Sequence, residues 1–216
     1  MAHKVNTVYG ELLRAFGPQG WWPADSPFEV IVGAILTQQT LWKNVEKAIA
    51  SLKRAKKLSA RAILKTTDRD LQRLVRSSGY YRQKAKKLKI FCEFFLNEYC
   101  GKITEMKRSR TSHLRSRLLS IWGIGRETAD SILLYALDKP IFVVDAYTVR
   151  IGERMGLFRS DGYEHVRNYF ESNLKRSVPL YKEYHALLVQ LGKNFCKTKP
   201  LCAKCPIKKL CRMIML

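Results

Sequence analysis

The last 21 residues of the chain hold four of its six cysteines, at a spacing that could bind a metal centre. Cys196, Cys202, Cys205 and Cys211 form the pattern Cys-x5-Cys-x2-Cys-x5-Cys. Four thiolates suit either a 4Fe–4S cluster or a structural zinc ion. Zinc ribbons usually present two short Cys-x2-Cys knuckles and this segment has one, so the spacing favours the iron–sulfur cluster. Cys92 and Cys100 lie on or near another predicted helix and are expected to be buried thiols.

Two glycines, Gly123 and Gly125, separate a predicted helix at about 111–121 from a second helix that starts at once. Such a pair allows a tight turn whose N–H groups approach an anion, and the second helix adds its positive N-terminal end. Ile124 is expected to pack between the two helices, and Arg126 follows the turn. The hairpin could hold a DNA phosphate without reading sequence, although any tight turn between helices can use the same glycines.

Asp145 follows the apolar run Ile141–Val144 and precedes a predicted amphipathic helix, so it is first of all a good N-cap. A helix N-terminus keeps a carboxylate ionised, which suits a group that accepts a proton from water or stabilises positive charge. Capping alone would also explain the residue. Its place about twenty residues after the hairpin favours the catalytic interpretation.

Three tryptophans lie close to the starts of two predicted helices. Trp21 and Trp22, followed by Pro23, lie just before one helix, and Trp42 begins the next. Indole faces attract cations by about 0.5–2 kcal/mol, and purines alkylated at N3 or N7 are cationic. The tryptophans therefore predict a stacking pocket for such a base, with plain packing between elements as the alternative.

The composition indicates the class of partner. The 216 residues include 40 Lys plus Arg against 18 Asp plus Glu, a formal net charge of +22. This charge favours nucleic acid over an anionic membrane, although solubility alone also uses excess charge. No apolar run approaches a membrane span or a signal segment. We therefore expect a cytoplasmic protein and no membrane partner.

Helical periodicity dominates the chain and predicts an all-α fold. Only Ile141–Val144 resembles a strand, and without a partner strand it is expected to be an extended connector. Residues 81–99 predict one long helix. Its basic residues are expected to contact DNA phosphates as a group, and no single residue among them is assigned to a contact. Apolar stripes at helical spacing are formed by Val45, Ala48, Ile49 and Leu52, by Ala129, Ile132, Leu133 and Ala136, and by Tyr184, Leu187, Leu188 and Leu191. The basic residues of the long helix are Arg82, Lys84, Lys86, Lys87 and Lys89.

The hairpin, the Val-Asp pair and the cysteine cluster together resemble the helix-hairpin-helix Gly/Pro-Asp DNA glycosylases, and among them the endonuclease III branch. The resemblance covers roughly residues 27–211. It implies an all-α, two-domain fold with a six-helix barrel over 25–138, beside a domain formed by 1–24 and 139–216 that carries the cysteine cluster. Between them such proteins receive a flipped base. The first cysteine loop is one residue shorter than the six that are usual in that family.

The resemblance also implies partners and cofactors. The implied cofactors are a 4Fe–4S cluster, with zinc as the alternative, and a monovalent cation at the hairpin. The implied partner is double-stranded DNA that contains damaged bases. The protein is expected to be a monomeric, nucleoid-associated prokaryotic enzyme. Gln38 and Tyr80 occupy loops that wedge the duplex in this family, so they join Gly123, Ile124, Gly125 and Arg126 as predicted DNA contacts. An ordinary role at a helix end would explain either of them as well.

One departure from the family indicates the type of reaction. Bifunctional endonuclease III has a lysine that forms a Schiff base at the position of Glu127. A carboxylate cannot form an imine, so the chain is predicted to be a monofunctional glycosylase in which Asp145 assists water and the product is an abasic site.

The segments Trp-Trp-Pro and Leu-Thr-Gln-Gln-Thr, together with Glu127, are similar to the bacterial 3-methyladenine glycosylases of this branch. That similarity implies 3-methyladenine as substrate, with 7-methylguanine as a further candidate, and a base pocket drawn from Trp21, Trp22 and Trp42. Two alternatives stay open. The same scaffold could excise a mismatched thymine, uracil or an oxidised base, or the chain could be a non-catalytic DNA-binding module.

Overall fold

A computed structural model describes residues 2–214, and every regular element in that range is helical. The prediction of an all-α fold is thus confirmed for the described residues. Within these described residues, twelve α-helices follow one another. They are α1 (Ala2–Phe16), α2 (Pro27–Leu36), α3 (Trp42–Arg54), α4 (Ala60–Lys65), α5 (Asp68–Leu74), α6 (Tyr81–Tyr99), α7 (Ile103–Arg108), α8 (Thr111–Leu119), α9 (Arg126–Ser131), α10 (Ala146–Arg154), α11 (Tyr163–Asn173) and α12 (Val178–Asn194). Short 3-10 turns cover Arg76–Ser78, Cys202–Lys204, Lys208–Leu210 and Arg212–Ile214.

The chain divides into two compact units. The terminal unit consists of Met1–Trp21 and Pro140–Leu216, and the central unit of Trp22–Lys139. The boundaries therefore fall between the two adjacent tryptophans and just before Pro140. None of the helices within residues 2–214 is long and apolar enough to cross a membrane.

The central unit is built around α2. Apart from Glu29 this helix is apolar, and its residues from Glu29 to Leu36 are buried, as expected of a helix surrounded by others. Ser26 caps it by accepting a hydrogen bond from the Glu29 N–H at 3.2 Å. The helices α3 and α6 pack against it. The predicted apolar stripe of α3 is buried, and α6 covers the predicted residues 81–99.

The helix that starts at Arg126 changes character after Ser131. It widens into a π turn over Ile132–Ala136, in which the Leu137 N–H donates to Ile132 O at 3.2 Å. A regular helix was predicted for these residues. The wider turn lets five consecutive side chains pack into the core, where the turn contacts α2.

The terminal unit holds Asp145 at the start of α10. Residues Ile141–Val144 lead to it as a buried, extended connector, as predicted. Phe142 from this connector stacks on Phe170 of α11 with ring centroids 4.3 Å apart. Tyr184 of α12 packs against both rings and donates a hydrogen bond to Val5 O at 2.9 Å. The connector and α10 are thereby fixed on a rigid aromatic core.

Candidate active site and nucleic-acid interface

The hairpin between α8 and α9 is held by buried contacts in the central unit. Ile124 is 5 % exposed, which agrees with its predicted packing between the two helices. The guanidinium of Arg115 on α8 donates to both carboxylate oxygens of Asp130 on α9, at 2.7 and 3.0 Å. The Asp130 side chain is fully buried. This bidentate ion pair therefore joins the two helices of the hairpin in a defined arrangement.

Gln38, a predicted DNA contact, is bound to the hairpin by its side chain. Its Nε2 donates to Gly123 O at 2.9 Å and to Thr128 Oγ1 at 3.0 Å, and its Oε1 accepts a hydrogen bond from Lys87. The side-chain amide of Gln38 therefore stabilises the turn from inside the protein. The following residue, Gln39, is exposed and has a left-handed backbone with φ 53°.

The two hairpin glycines have different reasons to be glycine. Gly123 has φ +83°, and a Cβ there would lie 2.6 Å from the side-chain stem of Lys87. Gly125 has φ −89°, which any residue adopts, and a Cβ there would meet open space. The protein itself therefore requires glycine at position 123. At position 125 the structure leaves room for an outside group to approach the start of α9.

This difference gives a matched pair of variants. Gly123→Ala should lower the free energy of unfolding by about 1–3 kcal/mol, because it forces a side chain into left-handed backbone. Gly125→Ala should leave stability within about 0.5 kcal/mol and weaken binding to duplex DNA. Urea unfolding and fluorescence anisotropy with a labelled duplex measure the two quantities. Unchanged DNA affinity in Gly125→Ala would contradict a phosphate at this turn.

Asp145 is the N-cap of α10, as predicted. Its Oδ1 accepts hydrogen bonds from the Thr148 N–H at 2.7 Å and from the Thr148 hydroxyl at 2.8 Å. Its side chain is 13 % exposed. One carboxylate oxygen is therefore occupied by the cap, and the other is directed to a different neighbour.

That neighbour is His185 of α12, whose Nε2 lies 3.8 Å from Asp145 Oδ2. Burial lowers the pKa of His185; the negative charge of Asp145 opposes this shift and the positive charge of Lys193 adds to it. The imidazole is therefore mainly neutral at neutral pH. A neutral ring beside the carboxylate leaves the negative charge of Asp145 uncompensated by His185.

Trp22 lies at the centre of an aromatic cluster in the central unit. The ring of Trp42 meets it edge-on with centroids 5.1 Å apart, and Tyr135 from the π turn packs at 5.4 Å. A Cβ at Gly33 of α2 would lie 3.1 Å from the indole, so glycine there lets the ring lie close to the helix. The structure thus brings together two of the three predicted pocket tryptophans. Trp21 belongs to the terminal unit, where Lys193 lies over its ring at 5.6 Å.

Several side chains at the hairpin and at the start of α6 are exposed. Arg126 and Glu127 lie in the first turn of α9 and face solvent. Tyr80, which precedes α6, is 63 % exposed and has φ 44°. Trp122 is 51 % exposed, with the Lys86 ammonium 4.8 Å from its ring centroid. Exposed aromatic and cationic groups of this kind can contact bases and phosphates.

The basic residues of α6 do not act as one set. Lys84 is 1 % exposed, so its assignment to phosphate contact is wrong. Position 84 faces the same side of the helix as the buried residues Leu88 and Phe91, one and two turns further on, which is why this lysine points into the protein. The neighbouring Arg82 and Lys86 are exposed.

The four cysteines of the C-terminal segment are all partly exposed. Burial raises the pKa of Cys205, a backbone hydrogen bond from Ile207 lowers it, and the charges of Cys196, Cys211 and Cys202 raise it again. Within residues 2–214, no three His, Cys, Asp or Glu side chains are placed as ligands of a metal ion.

Of the two remaining cysteines, Cys92 is buried, as expected. Cys100 is exposed, contrary to expectation. It ends α6 with a left-handed backbone of φ 52°, where the chain leaves the helix and no longer faces the core.

Residues 32–176 match the family model described as the HhH-GPD superfamily base excision DNA repair protein. This match spans the hairpin, the aromatic Trp42 and Asp145. The chain belongs to the HhH-GPD superfamily. The resemblance to endonuclease III-like glycosylases is thereby confirmed.

Relatives of this HhH-GPD protein extend the match to nearly the whole chain. A candidate DNA repair glycosylase of Methanocaldococcus jannaschii is 49% identical over 210 residues, covering 96% of this chain and 95% of that protein. Endonuclease III of Thermotoga maritima is 30% identical, over 86% of this chain and 82% of its own. The crystal structure of H. pylori 3-methyladenine DNA glycosylase bound to 1,N6-ethenoadenine superposes with a TM-score of 0.75 at 28% identity, covering 89% of this chain and 95% of that one. The enzyme class of the HhH-GPD chain is DNA glycosylase.

Sequence reasoning missed several side chains of this HhH-GPD protein. His185 gave no signal, because it is far from Asp145 in the sequence and comes near it only when α12 packs on α10. Tyr135 was not recognised as a partner of Trp22, since it lies within an apolar segment. Gln38 was predicted to contact DNA, but the exposed glutamine of this loop is Gln39. Two adjacent glutamines in a loop do not reveal which one turns inward.

Proposed function

We propose that this protein is a monofunctional glycosylase that hydrolyses the N-glycosidic bond of alkylated purines in DNA, leaving an abasic site. The preferred substrate is 3-methyladenine, with 7-methylguanine as a second substrate. The observation that carries the proposal is the aromatic cluster of Trp22, Trp42 and Tyr135. The similarity to the H. pylori 3-methyladenine glycosylase supports the same substrate class.

The aromatic cluster suits a cationic base. Alkylation at N3 or N7 places a positive charge on the purine, and the electron-rich faces of indole rings attract such a charge. Trp22 and Trp42 supply these faces. A pocket for neutral, undamaged-like bases would need several hydrogen-bonding groups to distinguish them. The duplex is weakest at a damaged pair, which lowers the cost of extruding the base.

The charge on the substrate also simplifies the reaction. Water attacks C1′ of the sugar while the C1′–N bond breaks, and the bonding electrons neutralise the cationic purine as it leaves. The leaving group therefore needs no general acid. Asp145 is assigned to accept the proton of the attacking water or to stabilise the positive charge that develops on the sugar. The neutral His185 leaves that negative charge in place.

The position of Glu127 supports hydrolysis without strand cleavage. It lies in the first turn of α9, where endonuclease III has its Schiff-base lysine, and a carboxylate cannot form an imine. We expect no covalent adduct when the protein is incubated with substrate DNA and borohydride. Denaturing gel electrophoresis with an endonuclease III as positive control makes this measurement. A trapped adduct would show that another amine of the chain reacts with the sugar.

The C-terminal cysteines fit the 4Fe–4S cluster of the proposal in type and number, since four thiols are a complete ligand set. Cys196, Cys202, Cys205 and Cys211 would hold the cluster. Its role would be to fix the fold of the C-terminal segment, because glycosidic hydrolysis transfers no electrons.

The proposal is tested by incubating the purified protein with randomly methylated DNA and identifying the released bases by chromatography. Release of 3-methyladenine, with or without 7-methylguanine, is the expected result. A panel of duplexes with a single thymine mismatch, uracil or oxidised base serves as control. Processing of any of these, with methylated purines untouched, would overturn the assigned substrate. Binding without any release would favour a non-catalytic module.

A further inference from the structure

The first two turns of α6 contain a buried lysine with an unusual pair of partners. Lys84 Nζ donates to Leu36 O at 2.9 Å and to Ser78 O at 2.5 Å. Leu36 ends α2, so its carbonyl lies at the negative end of a helix and is left without a partner in that helix. Ser78 ends the 3-10 turn before Gly79. One ammonium group thus joins two segments that are far apart in the sequence.

A second lysine on the same helix reaches a third segment. Lys87 donates to Gln38, which in turn donates to Gly123 O and Thr128 Oγ1 of the hairpin. The carbon stem of Lys87 also lies against Gly123, where it occupies the space of a missing Cβ. The hairpin is therefore connected through Lys87 to the same helix that carries Lys84.

Both segments joined by Lys84 contain strained backbone immediately beyond the contact. Gln39, three residues after Leu36, has φ 53°, and Tyr80, two residues after Ser78, has φ 44°. Left-handed backbone at residues other than glycine costs about 1–3 kcal/mol and persists only where surrounding contacts impose it. Lys84 supplies such a contact to each segment.

The environment of Lys84 explains why its charge is tolerated. Burial, together with a smaller effect of the positive charge of Lys87, lowers the pKa of Lys84 to about 8. From α2 and from the Arg76–Ser78 turn it faces backbone carbonyl groups, which partly replace its water shell. A charge-assisted hydrogen bond is roughly twice as strong as a neutral one, so each contact holds its carbonyl firmly.

We infer that Lys84 and Lys87 are positioning residues that set the spacing of three DNA-contacting segments: residues 37–40, the Gly79–Tyr80 turn and the hairpin. This inference rests on the proposed function, because Gln38, Tyr80 and the hairpin are expected to contact DNA only if the protein acts on DNA. The two lysines are not phosphate ligands, although their type and their place in a basic helix suggest it. They act on DNA only through the segments that they hold.

The test uses the full chain and a duplex that carries a tetrahydrofuran abasic-site analogue beside a 2-aminopurine base. Lys84→Met and Lys87→Met remove the hydrogen bonds of the two ammonium groups and retain most of the length of the side chain. Lys89→Met is the matched control, because it removes the same charge from the same helix at a lysine whose ammonium pairs with Asp68 of α5. Anisotropy measures affinity for undamaged duplex, 2-aminopurine fluorescence at saturating protein reports unstacking, and thermal unfolding reports the fold.

We expect Lys84→Met and Lys87→Met to lower the equilibrium constant for unstacking about tenfold, an effect the size of one or two buried hydrogen bonds. Duplex affinity should fall by no more than it does in Lys89→Met. Equal unstacking in all four proteins, or equal losses of affinity and unstacking in all three variants, would overturn the inference. If Lys84→Met does not fold, Lys87→Met, whose lysine is only half-buried, decides the question. If the wild-type protein releases methylated purines but does not unstack the 2-aminopurine base, the inference is overturned and the proposed function stands. If the wild-type protein releases no methylated purine, the proposed function itself is wrong.

Discussion

Replacing Asp145 by asparagine should lower the rate of base release about 10²–10⁴-fold, the range typical of a positioned proton acceptor. Asparagine retains an oxygen that can accept the hydrogen bond from the Thr148 N–H, so the cap of α10 is preserved. The substitution therefore removes the negative charge with little change of shape. Duplex affinity should stay close to that of the wild type, because the phosphate contacts are assigned to the hairpin.

Single-turnover release of 3-methyladenine from methylated DNA measures the effect. Asp161→Asn is a suitable control, because it makes the same chemical change at an exposed residue of the same unit. Asp145→Ala adds the loss of the cap, which costs about 0.5–2 kcal/mol of stability. Full activity of Asp145→Asn would assign the carboxylate to capping alone, the simpler of the two interpretations of the sequence.

Features that depend on near neighbours in the sequence could be predicted. The cap at Asp145, the buried Ile124 and the bounds of α6 are of this kind. Each follows from periodicity or from hydrogen bonds that span three or four residues. The all-α class follows in the same way, because strands would have needed an alternating pattern that the chain lacks.

Features that depend on packing between distant segments could not be predicted. His185 reaches Asp145 from forty residues further along the chain, and Gln38 turns toward a hairpin that is 85 residues away. The mistake at Lys84 has a different, local origin. A basic residue in a basic helix indicates an exposed face by composition, but the position of Lys84 in the helical repeat places it inside.

The Arg115–Asp130 pair should have the largest effect on stability. Arg115→Met should lower the free energy of unfolding by about 3–5 kcal/mol, because it leaves the charge of Asp130 buried without its guanidinium partner. The Asp130 side chain is fully buried and that of Arg115 is 15 % exposed. Urea unfolding measures the loss, and duplex affinity should fall with it because the pair holds the hairpin.

Arg117→Met provides the matched control on the same helix, since Arg117 pairs with Glu98 at the surface. Exposed ion pairs contribute little because water screens them and both side chains lose entropy, so this variant should be much less destabilised. The double variant Arg115→Met, Asp130→Leu should recover much of the lost stability, since apolar residues can replace a buried pair. Recovery of stability without recovery of duplex affinity would show that the pair sets the geometry of the hairpin as well as its stability. If Arg115→Met is no less stable than Arg117→Met, the buried pair does not hold α8 and α9 together, and the hairpin depends on Ile124 and Gln38 instead.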